Sequence, residues 1–131
     1  IRVSSADLNA APTSRETVIT WGLRVRVASS KRDEVERILR GLTGPARVRG
    51  GCLTCRIYRD IEDPGALALI QEWASWDPLE RYLRSEDYPK LLAVIESAAQ
   101  QPEIWFDTIA TREGLERLAA TRGASVPFDQ P

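Results

Sequence analysis

Apolar and polar residues alternate along Val18-Ile19-Thr20-Trp21-Gly22-Leu23-Arg24-Val25-Arg26-Val27, the period of a strand with one buried face. Ile19, Trp21, Leu23, Val25 and Val27 share one side, and Thr20, Gly22, Arg24 and Arg26 the other. The same alternation runs from Gly51 to Asp60, and a denser apolar run follows from Ala66 to Trp73. Between them Glu62-Asp63-Pro64-Gly65 carries turn chemistry: Pro presets φ near −65° and Gly tolerates positive φ. This predicts an antiparallel hairpin, against which the remaining elements can be placed. Glu103 to Ala110 reads as a fourth strand.

The period changes between the strands. Val35, Ile38, Leu39 and Leu42 recur at helical spacing, with Ser30 and Asp33 as a capping-box-like start and Gly41, Gly44 and Pro45 as a stop. That predicts a helix from about Lys31 to Leu42. Asp77-Pro78 reads as an N-cap followed by Pro at the first helical position, ahead of Leu79, Tyr82 and Leu83. A second run, capped by Ser85 or Asp87 with Pro89 in its first turn, turns Tyr88, Leu91, Leu92, Ile95 and Ala99 to the core and stops at Gln101-Pro102. A short helix from Arg112 to Ala120, closed by Gly123, ends the ordered part, and Ala124 to Pro131 reads as a disordered tail.

The order β-α-β-β-α-β with a split second helix predicts an α+β chain of ferredoxin-like type, with a four-stranded antiparallel sheet covered by helices on one face. The uncovered face carries Arg24, Arg26, Arg56, Tyr58, Ile70 and Glu72 by parity, with Trp105 and Asp107 joining them from the fourth strand. Aromatics beside charges of both signs suit a face that meets a second copy of itself, with ion pairs crossing or bordering the seam. Residues 1–16, rich in Ser, Ala, Asn, Pro and Thr, read as an N-terminal arm, residues 17–111 as the domain, and residues 112–131 as a C-terminal helix and tail.

Composition narrows the chemistry. A length of 131 residues with 43% hydrophobic content supports one domain with a core. A net charge of −1 and a pI near 5.6 argue against nucleic-acid or anionic-membrane partners. No apolar run spans a membrane and no secretory pattern is visible, which places the chain in the cytoplasm. The sequence starts at Ile1 and has no Met, so the native start is expected upstream. With no His, a Ser-His-Asp triad and His-ligated metal or haem are excluded within one chain. All but Lys31 and Lys90 of the 18 basic residues are Arg, a bias that fits a GC-rich genome better than a binding site.

Cys52 and Cys55 form a C-x-x-C. On a regular strand, residues three apart point to opposite faces, so without a bulge the sulfurs cannot bond each other or share a metal. The following sequence is β-like and offers no helix N-terminus to lower a thiol pKa, so both are expected to be reduced, structural thiols. Trp21, Trp73 and Trp76, with Tyr82 and Tyr88, can line an aromatic substrate pocket or simply fill the core.

Gly51-Cys52-Leu53 opening a strand, Tyr58-Arg59-Asp60 closing it, then Glu72-Trp73-Ala74-Ser75, Leu79-Glu80 and Leu83-Arg84-Ser85 before Tyr88, resemble the antibiotic biosynthesis monooxygenase family over roughly Val18 to Ile109. The resemblance implies a dimeric α/β barrel, two protomers with sheets face to face and a pocket between sheet and helices in each. It also implies a class that includes small oxygenases of quinols and polycyclic phenols needing no metal or flavin, haem-degrading relatives, and members without known reaction. Where the family often places His in Leu-Glu-x-His-Leu-x-Ser, this chain has Tyr82, and the first strand lacks the Asn of several catalytic relatives. An imidazole base and the haem-degrading branch therefore fall away. By this resemblance Tyr82 is the candidate catalytic residue, a proton relay, and Trp21, Trp73, Trp76 and Tyr88 are candidate substrate contacts. Arg81 and Arg84, on a helix surface, are poor candidates for stabilising an anion. No cofactor is implied. The alternative is a non-catalytic dimeric ligand-binding or stress-related module on the same fold.

Overall fold

The structure is a computed structural model and describes residues 17–125; the predicted N-terminal arm and the end of the predicted tail lie outside the described residues. Four strands, β1 (Ile19–Arg26), β2 (Cys52–Arg59), β3 (Ala66–Trp73) and β4 (Glu103–Thr108), form one sheet in the order β2-β3-β1-β4, every pair antiparallel. Four helices accompany them: α1 (Arg32–Arg47), entered through a 3-10 turn at Ser29–Lys31, α2 (Trp76–Leu83), α3 (Tyr88–Glu96) and α4 (Leu115–Arg122). This is the α+β ferredoxin-like order that the alternation predicts.

The core lies between the sheet and the helices. Ile19, Trp21, Leu23 and Val25 of β1 and Leu67, Leu69 and Trp73 of β3 meet Val35, Leu39, Leu42 and Ala46 of α1, Leu79 and Tyr82 of α2, and Leu91 and Val94 of α3. Burying each large apolar side chain stabilises by about 1.5–3 kcal/mol relative to exposure. Gly22 sits on the opposite face, where the Trp105 ring crosses it. A Cβ there would lie 2.1 Å from Cζ2 of that ring, so only glycine lets the indole lie flat across β1.

Several local expectations fail for physical reasons. Helix α1 runs through Gly41, Gly44 and Pro45 to Arg47. Ala46 is buried, and Arg47 donates from Nε and Nη2 to the carbonyl of Cys55, at 3.1 and 2.8 Å, so tertiary contacts hold the last turn against its breakers. The Ser30 cap is not made, because the helix is entered through the 3-10 turn without a side-chain cap. Helix α2 starts two residues early, with Ser75 at the N-cap and Asp77 and Pro78 inside its first turn. On α3, Tyr88 and Ala99 do not face the core: Tyr88 is 43% exposed, Ala99 is exposed beyond the helix end, and Val94 takes the buried place. Asp87 occupies the N-cap position without a capping bond, and Pro89 sits in the first turn as expected. Helix α4 begins at Leu115 rather than Arg112 and closes at Gly123 with φ +68°, the left-handed conformation that glycine adopts freely.

Candidate functional site

A polar network sits inside the apolar core, and Gln71 is its hub. In β3 Gln71 shares parity with Leu67, Leu69 and Trp73, which turns its amide inward, where it is fully buried. Its Oε1 accepts from Trp21 Nε1 at 2.6 Å and from Trp73 Nε1 at 3.0 Å. Its Nε2 donates to Tyr82 Oη and to Cys55 Sγ, both at 3.3 Å. One amide thus satisfies two buried indole donors and ties the sheet to α2, and burying those polar groups without partners would cost about 1–3 kcal/mol each.

Tyr82 is the ionisable centre of this interior. Burial pushes its phenol up to about 12, against the smaller opposing effect of the Gln71 hydrogen bond. It is therefore a neutral phenol near neutral pH. Because its oxygen accepts from Gln71, its own proton remains to be donated elsewhere. Its ring lies 5.1 Å from that of Trp73, tilted by 33°. Trp21 stacks on Phe106 of β4 at 5.6 Å, and Trp76 meets the same ring at 5.8 Å.

At the outer end of the network the Arg49 guanidinium carbon stands 5.5 Å from the centroid of the Tyr82 ring, a distance at which a cation is attracted to the ring face. The same guanidinium lies 3.6 Å from Glu86 Oε1 and 3.9 Å from Asp87 Oδ2. Asp87 is almost fully buried at the start of α3, and its Oδ2 has no hydrogen-bond partner among the described residues.

The two cysteines are free thiols, as expected, but the two-faces argument for that state fails. A bulge between Cys52 and Thr54 sets Cys52 opposite Trp73 and Cys55 opposite Gln71, so both sulfurs face the core and Leu53 is turned out, 54% exposed. Gly51, at φ +95° and with Pro78 where a Cβ would stand, sits at the start of this irregular segment. Burial raises both thiols, Cys52 to about 11, which leaves them protonated and poor nucleophiles. Among the described residues no group of three or more His, Cys, Asp or Glu is placed to hold a metal.

Of the sequence candidates, the structure joins Trp21, Trp73 and Tyr82 in one network and links Trp76 to it through Phe106, while Tyr88 is largely a surface residue. Sequence reasoning missed Gln71, Arg49 and the buried Asp87. Parity alone could have found Gln71, a lone amide among inward-facing residues. Arg49 and Asp87 meet from separate segments and leave no periodic signal.

The outer face of the sheet is organised differently. Arg24 pairs with Asp60 at 3.1 Å and with Glu103 at 3.9 Å, and Arg26 with Asp63 at 2.9 Å. Glu72 accepts from Thr54 Oγ1 at 3.1 Å and is paired with Arg112, which reaches it from the segment after β4. Arg24, Arg26 and Glu72 thus already have ion-pair partners within their own chain. A cavity of about 190 Å³ on this face is lined by Thr20, Thr54, Arg56, Tyr58, Glu72 and Arg112 among others, and another of about 290 Å³ lies between α1 and β2 beside Glu36, Arg40 and Arg59. None of the aromatic candidates Trp21, Trp73, Trp76, Tyr82 and Tyr88 lines either.

Residues 19–93 match the family model described as Antibiotic biosynthesis monooxygenase. A search of curated proteins found no match. Among solved structures, a conserved protein of Methanosarcina mazei is similar at TM-score 0.66 and 20% identity, over 72% of this chain and 94% of its own. A Pseudomonas aeruginosa protein is similar at TM-score 0.65 and 24% identity, over 75% and 99%. A protein named antibiotic biosynthesis monooxygenase is similar at TM-score 0.64 and 18% identity, over 71% and 99%. With more than half of its length matched, the chain belongs to the antibiotic biosynthesis monooxygenase family. Among the described residues no helix is long and apolar enough to cross a membrane.

Proposed function

We propose that this protein is a cofactor-independent monooxygenase acting on a quinol or phenolic aromatic, and that it works in the cytoplasm as a homodimer joined through the outer faces of its sheets. The observation that carries the reading is Tyr82: a buried phenol whose oxygen is already engaged by Gln71, leaving its proton to donate, with the indoles of Trp21 and Trp73 on the same amide. An electron-rich phenolate can react with O₂ without metal or flavin because the substrate supplies the electrons. Addition of O₂ at a ring C–H position gives a hydroperoxide, which loses water to leave a carbonyl; one oxygen atom stays in the product and the other leaves as water. Tyr82 would donate to the substrate oxygen as the phenolate forms, in a dry interior where one such bond is strong, and the proton that the phenol gives up ends on the peroxide, which leaves as water. Trp21, Trp73 and Trp76 would hold the ring, with Tyr88 at the margin.

The edges of the sheet support the assembly. On the outer face β2 carries Arg56 and β4 carries Glu103 and Asp107, all exposed. A two-fold axis running along the strands sets each β2 edge against the partner's β4 edge, so basic meets acidic twice. A stable pairing would bury on the order of 2,000 Å² or more.

The test is oxygen uptake by metal-stripped protein over a panel of hydroquinones and naphthols. Enzyme-dependent uptake above autoxidation supports the reading, and its absence across the panel contradicts it. The second reading, a non-catalytic dimeric ligand-binding or stress-related module, is favoured by one observation: Trp21, Trp73 and Tyr82 are packed with no more than 3% exposure. It predicts ligand binding without oxygen uptake.

A further inference from the structure

Asp87 is the one described residue with a buried side-chain oxygen that has no hydrogen-bond partner. Two cations stand near its carboxylate and neither bonds it: Arg49 Nη2 is 3.9 Å from Oδ2 and Lys90 Nζ is 3.9 Å from Oδ1. Both distances exceed hydrogen-bond range. Its surroundings are otherwise fixed. The Asp87 N–H donates to Ser85 Oγ at 3.2 Å, and that hydroxyl donates to the Tyr82 carbonyl at 2.6 Å, which locks the α2–α3 turn beneath the carboxylate. An acceptor held rigidly, closed to water and lacking a donor is costly, and it marks a place where a donor belongs.

The Arg49 guanidinium shows what shape fits there. It is a flat group set 5.5 Å from the Tyr82 ring centroid, with an N–H-bearing edge towards Oδ2. Its side chain is 30% exposed and its other partner, Glu86, is 87% exposed, so leaving this position forfeits a weak surface pair, together with the attractions to the Tyr82 face and to Asp87 that a ligand's ring and hydroxyl would have to take over. A hydroxyaromatic has the same outline: a flat ring with a donor on its edge.

We propose that Arg49 is a placeholder and Asp87 an anchor, so that a hydroxyaromatic ligand displaces the guanidinium, lays its ring against Tyr82 and donates its hydroxyl to Asp87 Oδ2. The inference rests on the phenolic reading of the site and adds a recognition residue to it. It also accounts for entry, since it places the ring against Tyr82 by moving one half-exposed side chain while the Gln71 network stays intact.

The experiment is anaerobic titration of tryptophan fluorescence with two probes of the same outline, hydroquinone and its dimethyl ether, against wild type, Asp87→Asn and Arg49→Ala. Wild type should bind hydroquinone at least about tenfold more tightly than the ether, the size of a hydrogen bond to a charged acceptor. Asp87→Asn, which keeps an accepting oxygen but loses its charge, should cut that ratio by about threefold or more, and Arg49→Ala should tighten hydroquinone binding by removing its competitor. Should the Asn variant fail to fold, Arg49→Ala decides, because a guanidinium that itself contacted the ligand would weaken binding on removal. An unchanged probe ratio in Asp87→Asn, or weaker hydroquinone binding in Arg49→Ala, overturns the anchoring and leaves the oxygenase reading standing. Discrimination reduced as described, without oxygen uptake in the turnover assay, upholds the anchor and overturns the oxygenase reading. No binding of either probe to wild type overturns the anchor, and oxygen uptake over the naphthols then decides the oxygenase reading.

Discussion

The two faces of the one sheet are built from alternate residues of the same strands and solve the problem of polar groups in opposite ways. On the inner face polarity is scarce and fully shared: Gln71 serves two indoles, a phenol and a thiol within an otherwise apolar layer. On the outer face polarity is abundant and paired off locally, Arg24 with Asp60, Arg26 with Asp63 and Glu72 with Arg112. The inner arrangement is rigid because each lost partner leaves a buried group unsatisfied. The outer one is adaptable, since half-exposed ion pairs re-form with water or with another surface at little cost. The proposed function assigns chemistry to the first face and assembly to the second.

The contrast predicts a descending series of effects. Trp73→Ala, at a position with no exposure, should destabilise by about 3–5 kcal/mol in chemical denaturation; a loss below about 1 kcal/mol would mean that the inner face adapts as the outer one does. Gln71→Leu keeps most of the volume but strands two indole donors, and should cost about 2–3 kcal/mol. A neutral outcome in the same assay would remove Gln71 from the centre of the account. Alkaline pH probes the same network without mutation. Tyr82 has its folded-state pKa raised from the ordinary 10 to about 12, so its contribution is fully present below pH 10 and is lost as pH rises through 12. The loss should be about 2–3 kcal/mol, shared in sign with the thiols, and Tyr82→Phe should flatten it; stability curves of the two proteins between pH 9 and 12 that run parallel would contradict the assignment. Glu72→Arg, on the outer face, should change the stability of the isolated fold by less than about 1 kcal/mol. It should nevertheless shift light scattering from dimer towards monomer by placing like charges at the seam, and an equally stable dimer would show that Glu72 does not border it.

What could be read from the sequence follows the same division. The strands were visible because one face of each is buried, so that Ile19, Trp21, Leu23 and Val25 alternate against polar neighbours, and the parity assignment of Arg24, Glu72 and Trp105 to the outer face follows from it. Features set by contacts between distant segments were not visible. Pro45 looked like a helix end, yet the burial of Ala46 and the Arg47 bonds to Cys55 carry α1 past it. The β2 bulge reverses the facing of Cys52 and Leu53 without any local break in the apolar alternation. At the site, the aromatics were legible as large residues on inward faces, and Tyr88 was misread because a position at the first turn of α3 lies beyond the edge of the core. Arg49 and Asp87 become neighbours only once α1, α2 and α3 have converged.

The most direct test of the central claim, that the inner face performs oxygen chemistry through Tyr82, is mass spectrometry of the product formed under ¹⁸O₂ by metal-stripped wild type and Tyr82→Phe, with whichever naphthol or hydroquinone supports uptake. The account predicts one labelled oxygen per product molecule from wild type and a loss of about tenfold to a hundredfold or more in rate for the Phe variant, the scale of removing a proton-transfer group, with its fold and dimer unchanged. Product carrying no label, or a Phe variant as fast as wild type, would contradict it.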